Sequence, residues 1–239
     1  ILDAQGRIVA VLVGTPKDPN WDAVVGEAVS EMDRARRRCI RHRIYTHLSP
    51  LHRRGRFIAL ASGFSMGGGQ IRPGNLYRGP IQYRITRSLC RHRSVRRIMG
   101  FQSSALAWYT PKLFRYQATT LKGLLDRQPH LKPNFTNSIF PAATYNCGPA
   151  AVTFDHRDFL NLSHGFCGVT CGGRFDSALG GHIYLRQFRL VVEFPSGASI
   201  LIPSACVNHG NTPIQPGETR YSMTQYAAGG LFRYAAYGY

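Results

Sequence analysis

The sequence predicts an α+β fold, with a double-stranded β-helix (jelly roll) core and an N-terminal α/β elaboration. Three observations support this prediction. The chain has 239 residues, 44% of them hydrophobic, which is enough for a sizeable buried core. Helical spacing dominates the part before Pro133. After Pro133, short apolar or alternating runs are separated by Gly, Asn and Pro, a texture typical of a sandwich or barrel of short strands.

The part before Pro133 combines short apolar runs with longer helical ones. A helix start at residues 18–20 (Asp-Pro-Asn) precedes apolar residues at helical spacing. Three consecutive glycines in the following loop permit a close backbone approach, but they lack the spacing of a phosphate-binding loop. The predicted elements are a strand at 8–13, a helix at 21–37, a strand at 56–63, a loop at 67–75 and two or three helices within 84–128.

The part after Pro133 is predicted to be mainly β-structure. We expect two regions in one compact domain: a basic α/β elaboration at 1–133 that packs on the core, and the double-stranded β-helix itself at 134–239. The predicted strands are 151–154, 165–170, 183–185, 188–194, 199–203 and 220–226.

Positive charge is concentrated in one stretch of the chain. The formal net charge is +18, and residues 34–125 contain 20 Lys or Arg but no Asp or Glu. A field of one sign this long predicts a polyanionic partner such as nucleic acid, although a solubility effect or a membrane-surface patch would leave the same pattern. No apolar run is long enough to cross a membrane. The candidate phosphate contacts are Arg72, Arg84, Arg87, Arg91, Arg93, Arg96 and Arg97.

The six cysteines are scattered and form no CxxC motif. This spacing favours free thiols in a reducing compartment over a disulfide scaffold. A zinc site formed by Cys167, Cys171 and a histidine remains an alternative.

A metal-ligand pattern begins at His156. Side chains alternate along a strand, so His156 and Asp158 point to one face and Arg157 to the other. A distant histidine, His209, follows the apolar run that ends at Pro203. Two imidazoles and one carboxylate on one barrel face form the facial triad of non-haem Fe(II) oxygenases, which leaves positions open for substrate and oxygen.

A buried arginine is expected soon after His209. By the same alternation, Arg220, Ser222, Thr224 and Tyr226 share one face of their strand. An inward arginine in an apolar barrel requires an anion, and a dicarboxylate such as 2-oxoglutarate suits the guanidinium fork. The tripeptide at 156–158 (HRD) also occurs in protein kinases, but here Asn161 is too close to Asp158 for a kinase catalytic loop, and the other kinase motifs are absent.

Three segments together resemble the catalytic core of the TET/JBP family of nucleic-acid-base dioxygenases. They are 156–161 (HRDFLN), 209–213 (HGNTP) and 220–226 (RYSMTQY). Runs such as GGGQ, RPGNL, FQSSA and ILIPSA are similar to the fungal (basidiomycete-type) branch of that family. The core motifs span only part of the chain, whereas the similarity to the fungal branch extends over most of the chain from Phe57 onward.

The resemblance implies Fe(II) and 2-oxoglutarate as cofactors and oxidation of the methyl group of a base in DNA, with 5-methylcytosine first. It places iron on His156, Asp158 and His209 and 2-oxoglutarate on Arg220 and Ser222. It also implies that Asn161 hydrogen-bonds a flipped base and that Tyr226 stacks on it. Double-stranded DNA is the implied partner and the nucleus the implied location, with no membrane and no obligate protein partner.

Two departures from the family pattern bear on the substrate. Ala228 occupies a position where the animal enzymes have a histidine, and their zinc-binding Cys-rich region is absent. The basic stretch is therefore the candidate region for binding a DNA duplex. N6-methyladenine remains an alternative base. A hydroxylase of a protein or a small molecule, and a catalytically inactive nucleic-acid-binding module, also remain open.

Overall fold

The computed structural model describes residues 1–45 and 55–239. Part of the basic stretch, residues 46–54, therefore lies outside the described residues. The strands are β1 (Val11–Gly14), β2 (Ile58–Ser65), β3 (Gly74–Asn75), β4 (Ala142–Cys147), β5 (Cys167–Arg174), β6 (Ile183–Leu185), β7 (Leu190–Val192), β8 (Ser199–Ile202), β9 (His209–Asn211) and β10 (Thr219–Tyr226). The α-helices are α1 (Trp21–Arg41), α2 (Pro80–Arg91), α3 (Arg93–Tyr109), α4 (Pro111–Arg127) and α5 (Gly229–Ala236).

Two antiparallel sheets form the jelly-roll core. The major sheet has the strand order β1-β8-β5-β10-β4-β2-β3, and the minor sheet has the order β7-β6-β9. Residues from both sheets line one cavity, so the sheets face each other across it. This confirms the predicted α+β fold with a double-stranded β-helix core.

The two faces of the major sheet have different neighbours. On β10, Tyr221 and Met223 belong to the hydrophobic core shared with α1, α2 and α3. Arg220, Ser222 and Thr224 alternate with them and line the cavity on the other face. The face between the sheets is called the inner face below, and the helix-covered face is called the outer face.

Helix α1 forms where the sequence predicts it. Its start is stabilised by Asp18, whose side chain accepts from Asn20 N and whose carbonyl accepts from Trp21 N. The apolar side at Trp21, Val24, Val25, Ala28 and Met32 is buried on the outer face of the major sheet. The helix continues to Arg41, past the predicted end at residue 37.

The stretch predicted to be helical at 84–128 contains three helices. Pro80 and Pro111 occupy the first turns of α2 and α4, where proline costs no helical hydrogen bond. Ile85 and Leu89 of α2 and Ile98 of α3 enter the core on the outer face. None of the described helices combines the length and the apolar character that a bilayer crossing requires.

Several β predictions were wrong in detail. Residues 151–154 are not a strand, because their backbone groups bond irregularly: Ala151 N donates to Arg220 O, and Thr153 N donates to the Asn211 side chain. The strand predicted at 188–194 is shorter, since a 3₁₀ turn at Arg186–Phe188 precedes β7. β1 begins at Val11 rather than at residue 8, and β3, β4, β9 and α5 were not predicted.

The N-terminal region contributes strands as well as helices to the core architecture. β1 pairs with β8, and β2 pairs with β4, so strands from before and after Pro133 share the major sheet. The division into regions 1–133 and 134–239 stays a prediction.

Candidate active site

The backbones of His156 and His209 pair directly. His156 N donates to His209 O at 3.1 Å, and His209 N donates to His156 O at 2.9 Å. Directly opposed residues of an antiparallel pair project their side chains to the same face. The two imidazole centroids accordingly lie 4.3 Å apart. An irregular backbone bridge thus brings together two residues that are distant in sequence.

Asp158 joins the two histidines. Its carboxylate oxygens lie 3.7 Å from His156 Nε2 and 3.9 Å from His209 Nε2. Its backbone N donates to Ser204 O, and its carbonyl accepts from Asn161 N, both at 2.8 Å. Arg157 is exposed, as the alternation predicts, although this segment forms only a single bridge rather than a strand.

The orientation of both imidazoles suits metal binding through Nε2. His156 Nδ1 lies 2.8 Å from Phe154 O, and His209 Nδ1 lies 2.9 Å from Val207 O. A carbonyl oxygen can only accept, so each Nδ1 carries a proton, and Nε2 is the nitrogen of each ring that is left to bind a metal. The three candidate ligand atoms lie within 4.8 Å of one another.

Arg220 lies on the inner face of β10 and is 2% exposed. Its Nη1 donates to Ala151 O at 3.0 Å, but its buried Nε has no hydrogen-bond partner among the described residues. Burial lowers the pKa of the guanidinium, and no carboxylate of the described residues opposes this shift. A buried cation with an unsatisfied donor requires an anionic ligand.

The residues present fit both a divalent metal and a carboxylate ligand. Two imidazoles and one carboxylate on one side of a cavity form the ligand set of non-haem Fe(II) sites. The unpaired Nε of Arg220 can donate to a carboxylate, and the cavity that contains all four side chains is about 50 Å³. The predicted cofactors, Fe(II) and 2-oxoglutarate, agree with this donor set.

Polar residues that the sequence analysis missed also line the cavity. Asn146 of β4 donates to Ser222 Oγ at 2.8 Å, which leaves the Ser222 hydroxyl hydrogen to donate elsewhere. Asn211 accepts from Thr153 N at 2.8 Å and so holds the segment before His156 against β9. Asn211 could have been found, because it lies two residues after His209 on the same side of an extended chain. Asn146 could not, because its strand was not predicted.

The two predicted base contacts lie outside the residues that line the cavity. Asn161 Nδ2 donates to Ser204 Oγ at 3.0 Å. The Tyr226 hydroxyl lies 3.5 Å from Thr144 Oγ1, and its ring packs against the core between the sheets. The structure therefore brings together His156, Asp158, His209, Arg220 and Ser222 around the cavity, and Asn161 and Tyr226 are not part of its lining.

The seven predicted phosphate contacts are all exposed, but they do not line the cavity. Six of them lie on α2 and α3, which pack on the outer face of the major sheet. Arg97 forms an ion pair with Asp18. Arg72 lies within the loop at 67–75, in which Gly67 lies next to the Leu160 side chain, two residues after Asp158.

The alternative zinc site is not formed within the described residues. There, the only group of three or more His, Cys, Asp or Glu side chains placed to hold a metal is His156, Asp158 and His209. Cys171 instead donates to the Phe194 and Pro195 carbonyls. All six cysteines, which belong to the described residues, are free thiols as predicted.

Comparisons with known proteins agree with this fold. No known family profile matches the chain, and no curated protein matches it in sequence. NgTET1, solved in complex with 5mC DNA, superposes with a TM-score of 0.53 at 15% identity, covering 95% of this chain and 75% of that one.

Two further solved structures match less well. An oxidoreductase of the 2OG-Fe(II) oxygenase family from Burkholderia pseudomallei has a TM-score of 0.37 at 14% identity, covering 89% of this chain and 92% of that one. The viral collagen prolyl hydroxylase of Paramecium Bursaria Chlorella virus-1, solved with 2OG, has a TM-score of 0.28 at 14% identity, covering 46% and 70% of the respective chains. The likeness to NgTET1 at this identity shows the fold.

Proposed function

We propose that this protein is an Fe(II)- and 2-oxoglutarate-dependent dioxygenase that oxidises the methyl group of a methylated base in DNA, with 5-methylcytosine as the first candidate. One observation carries the proposal: two histidines and an aspartate converge on the same cavity as a buried arginine that lacks an anionic partner among the described residues. When bound, Fe(II) and 2-oxoglutarate supply the activation of dioxygen and the transfer of one oxygen atom to a C–H bond, with release of succinate and carbon dioxide.

Each residue in the cavity has a separate task. His156 and His209 offer their Nε2 atoms to the metal, because their Nδ1 atoms are engaged by carbonyl oxygens. Asp158 supplies the charge that favours a divalent cation. Arg220 binds the distal carboxylate of 2-oxoglutarate, and Ser222 donates a second hydrogen bond while Asn146 orients it. The apolar wall formed by Val169, Ile183 and Ile202 excludes water from the reaction.

The choice of a DNA base rests on three supports. NgTET1, which shares the fold, was solved with DNA that contains 5mC. The order and spacing of the segments 156–161, 209–213 and 220–226 resemble those of the TET/JBP family. The charge of +18 suits a polyanionic substrate. We also propose that the protein belongs to the fungal branch of the TET/JBP family, because runs such as GGGQ, RPGNL, FQSSA and ILIPSA are similar to that branch. We propose the nucleus as its location, because the proposed substrate is DNA.

The proposed base contacts require rearrangements of the side chains. A flipped base would take the amide of Asn161 away from Ser204 and stack on the ring of Tyr226. N6-methyladenine is a second candidate base. The animal enzymes have a histidine at the position of Ala228, whose backbone pairs with that of Asn161. Because Ala228 is small and buried, base recognition at this position can differ from that of the animal enzymes.

The substrate can be tested directly. The protein is incubated with Fe(II), 2-oxoglutarate and matched duplexes that contain 5-methylcytosine, N6-methyladenine or no methyl group, and the nucleosides are analysed by mass spectrometry. We expect hydroxymethylated product from one methylated duplex and none after Asp158→Ala. If succinate forms at the same rate with all duplexes and no base is oxidised, the substrate is a protein or a small molecule. If no succinate forms with any substrate, the dioxygenase proposal is wrong.

A further inference from the structure

A much larger cavity lies on the outer face of the major sheet, away from the candidate active site. It is bounded by the end of β2, by β3, by α2 and by residues 132–134, and its volume is about 660 Å³. Its base includes Ser62, which lies on the helix side of β2 and contacts Cys90 of α2. This volume is in the usual range for small-molecule and nucleotide sites. We call it the Tyr77 pocket, after its most exposed ring.

Two tyrosines lie at its mouth. Tyr77 is 56% exposed and Tyr83 is 39% exposed. Their ring centroids are 5.7 Å apart at an interplanar angle of 52°, so they form an open, tilted pair rather than a closed stack. Exposed aromatic rings of this kind provide stacking surfaces for unpaired bases, whatever the base, because every base has a π face.

Three cations surround these rings. Arg87 and Arg91 lie one turn apart on the exposed side of α2, and Lys132 lies in the opposite wall. None of the three forms a salt bridge with a described residue, in contrast to Arg97, and none of the residues that line the pocket is acidic. The acidic side chain that contacts α2, Glu31, is engaged by Ser88 and Arg34.

The pocket also contains an unsatisfied donor. Asn134 Oδ1 accepts from Cys90 Sγ, whereas Asn134 Nδ2 is buried and has no hydrogen-bond partner among the described residues. Gly63 makes room for this amide: a Cβ there would lie 2.8 Å from Nδ2, and its φ of +95° disfavours any other residue. A phosphate or base oxygen in the pocket would satisfy the donor.

The cationic surface continues beyond the pocket. Arg87 and Arg91 also line an adjoining depression together with Arg38, Arg84, Ser88 and His92. An occupant with several phosphates could therefore extend from the tyrosines along α2. Because the bases of a duplex are already stacked on each other, a groove with exposed rings suits a single strand better.

We propose that the Tyr77 pocket and the adjoining cationic surface of α2 bind single-stranded nucleic acid, at a site separate from the catalytic cavity. Bases stack on Tyr77 and Tyr83, while Arg87, Arg91 and Lys132 contact phosphates. Binding at this site does not depend on the oxygenase chemistry, and it assigns the arginines of α2 to a surface that lies across the major sheet from Arg220.

The test measures binding of a labelled 12-nucleotide oligo-dT and of a hairpin duplex by fluorescence anisotropy, without Fe(II) or 2-oxoglutarate. Failure of this experiment therefore does not bear on the proposed oxidation. We expect Tyr77→Ala to weaken oligo-dT binding about tenfold and Tyr77→Phe to leave it unchanged. Tyr237, which is 88% exposed outside the pocket, gives the matched control, and Tyr237→Ala should bind as the wild type does.

Charge is tested separately with Arg91→Glu and its matched control Lys112→Glu, an exposed cation on α4 that changes the net charge equally. We expect a loss of at least about tenfold for Arg91→Glu and a much smaller one for Lys112→Glu. Circular dichroism and thermal unfolding confirm that each variant is folded. Equal losses for both charge variants, an unchanged affinity for Tyr77→Ala, or tighter binding of the hairpin would each overturn the proposal. So would displacement of oligo-dT by micromolar thymidine monophosphate, which would indicate a mononucleotide site.

Discussion

On the inner face of the major sheet, Arg220 is a buried charge whose Nε has no partner among the described residues. On the helices that cover the outer face, the arginines are numerous and most of them are exposed. The exposed charges cost little, because water solvates them. The buried charge carries a desolvation penalty of several kcal/mol that the protein alone does not offset. This contrast agrees with the proposals of a small anionic ligand on the inner face and of a polyanionic partner on the outer face.

The largest effect is expected at the proposed metal ligands. Asp158→Ala removes the only carboxylate of the cluster, so product formation should fall by more than about 100-fold. This loss is larger than the roughly 10- to 100-fold loss expected when a residue that only supports a metal ligand is changed. Arg157→Ala is the matched control, because its exposed side chain lies between the two ligands without joining them. Product analysis at saturating 2-oxoglutarate makes the comparison. Equal activities for the two variants would remove Asp158 from the site.

Arg220 should show opposite effects on binding and on stability. Arg220→Met removes the proposed partner of the 2-oxoglutarate carboxylate, which should weaken 2-oxoglutarate binding by about 2–5 kcal/mol. The same change removes a buried, unpaired charge, so the ligand-free protein should unfold at the same or a higher temperature, with a gain of up to about 4 kcal/mol. Calorimetric titration and thermal unfolding measure the two quantities.

Arg220→Lys separates charge from geometry at this position. Lysine keeps the charge but loses the fork that donates to Ala151 O and to the ligand together. We expect weaker 2-oxoglutarate binding than in the wild type and no gain in stability. An unchanged 2-oxoglutarate affinity in both variants would place the carboxylate elsewhere and would remove the contrast between the two faces.

Gln117 tests whether every buried, unpaired polar group indicates a ligand. It is 0% exposed on α4, and neither its amide nitrogen nor its amide oxygen has a partner among the described residues. Gln117→Met keeps the length of the side chain and removes both unsatisfied atoms, so it should raise the free energy of unfolding by about 1–3 kcal/mol. Denaturant unfolding measures this gain. A loss of stability would show that the amide is satisfied in solution.

Local patterns predicted much of this fold. The apolar side of α1, the helices between residues 80 and 127 and the alternation on β10 each depend on neighbours in sequence, and each was found. β4 was missed because it is buried along most of its length and shows no alternation. The single bridge at His156 depends on β9, a partner far along the chain, so no local pattern could predict its irregular pairing.

The site follows the same division. Alternation placed His156 with Asp158 and Arg220 with Ser222, because these pairs are two residues apart. The position of the basic stretch relative to the cavity could not be predicted from the sequence, because the charge of a helix does not determine which face of a sheet the helix covers. The sheet therefore separates the arginines of α2 from the cavity whose DNA substrate they were predicted to bind.

The smallest effect is expected on the outer face, at Asp33 of α1. Burial alone would raise the pKa of Asp33, but hydrogen bonds from Arg36 and Tyr221 and the charges of Arg36 and Arg37 lower it below its ordinary value. A lowered carboxyl pKa stabilises the folded state above the unfolded value of 3.8, and this contribution is lost as the pH falls through the folded value. Because the Asp33 side chain is partly exposed and solvent screens its ion pairs, Asp33→Asn should cost less than about 1 kcal/mol at pH 6.

The dependence of this difference on pH checks its cause. Denaturant unfolding of the wild type and of Asp33→Asn should converge as the pH falls below the lowered pKa of Asp33 in the folded protein, because the carboxyl is then uncharged in both states. The pH dependence of Tyr221 has the opposite sign. Burial and Asp33 raise the pKa of Tyr221 to about 12. Its contribution to the stability of the folded protein is therefore present below pH 10 and is lost as the pH rises towards 12. A difference between the two proteins that is independent of pH would assign the stability of this contact to packing. The outer face would then owe little to its ion pairs.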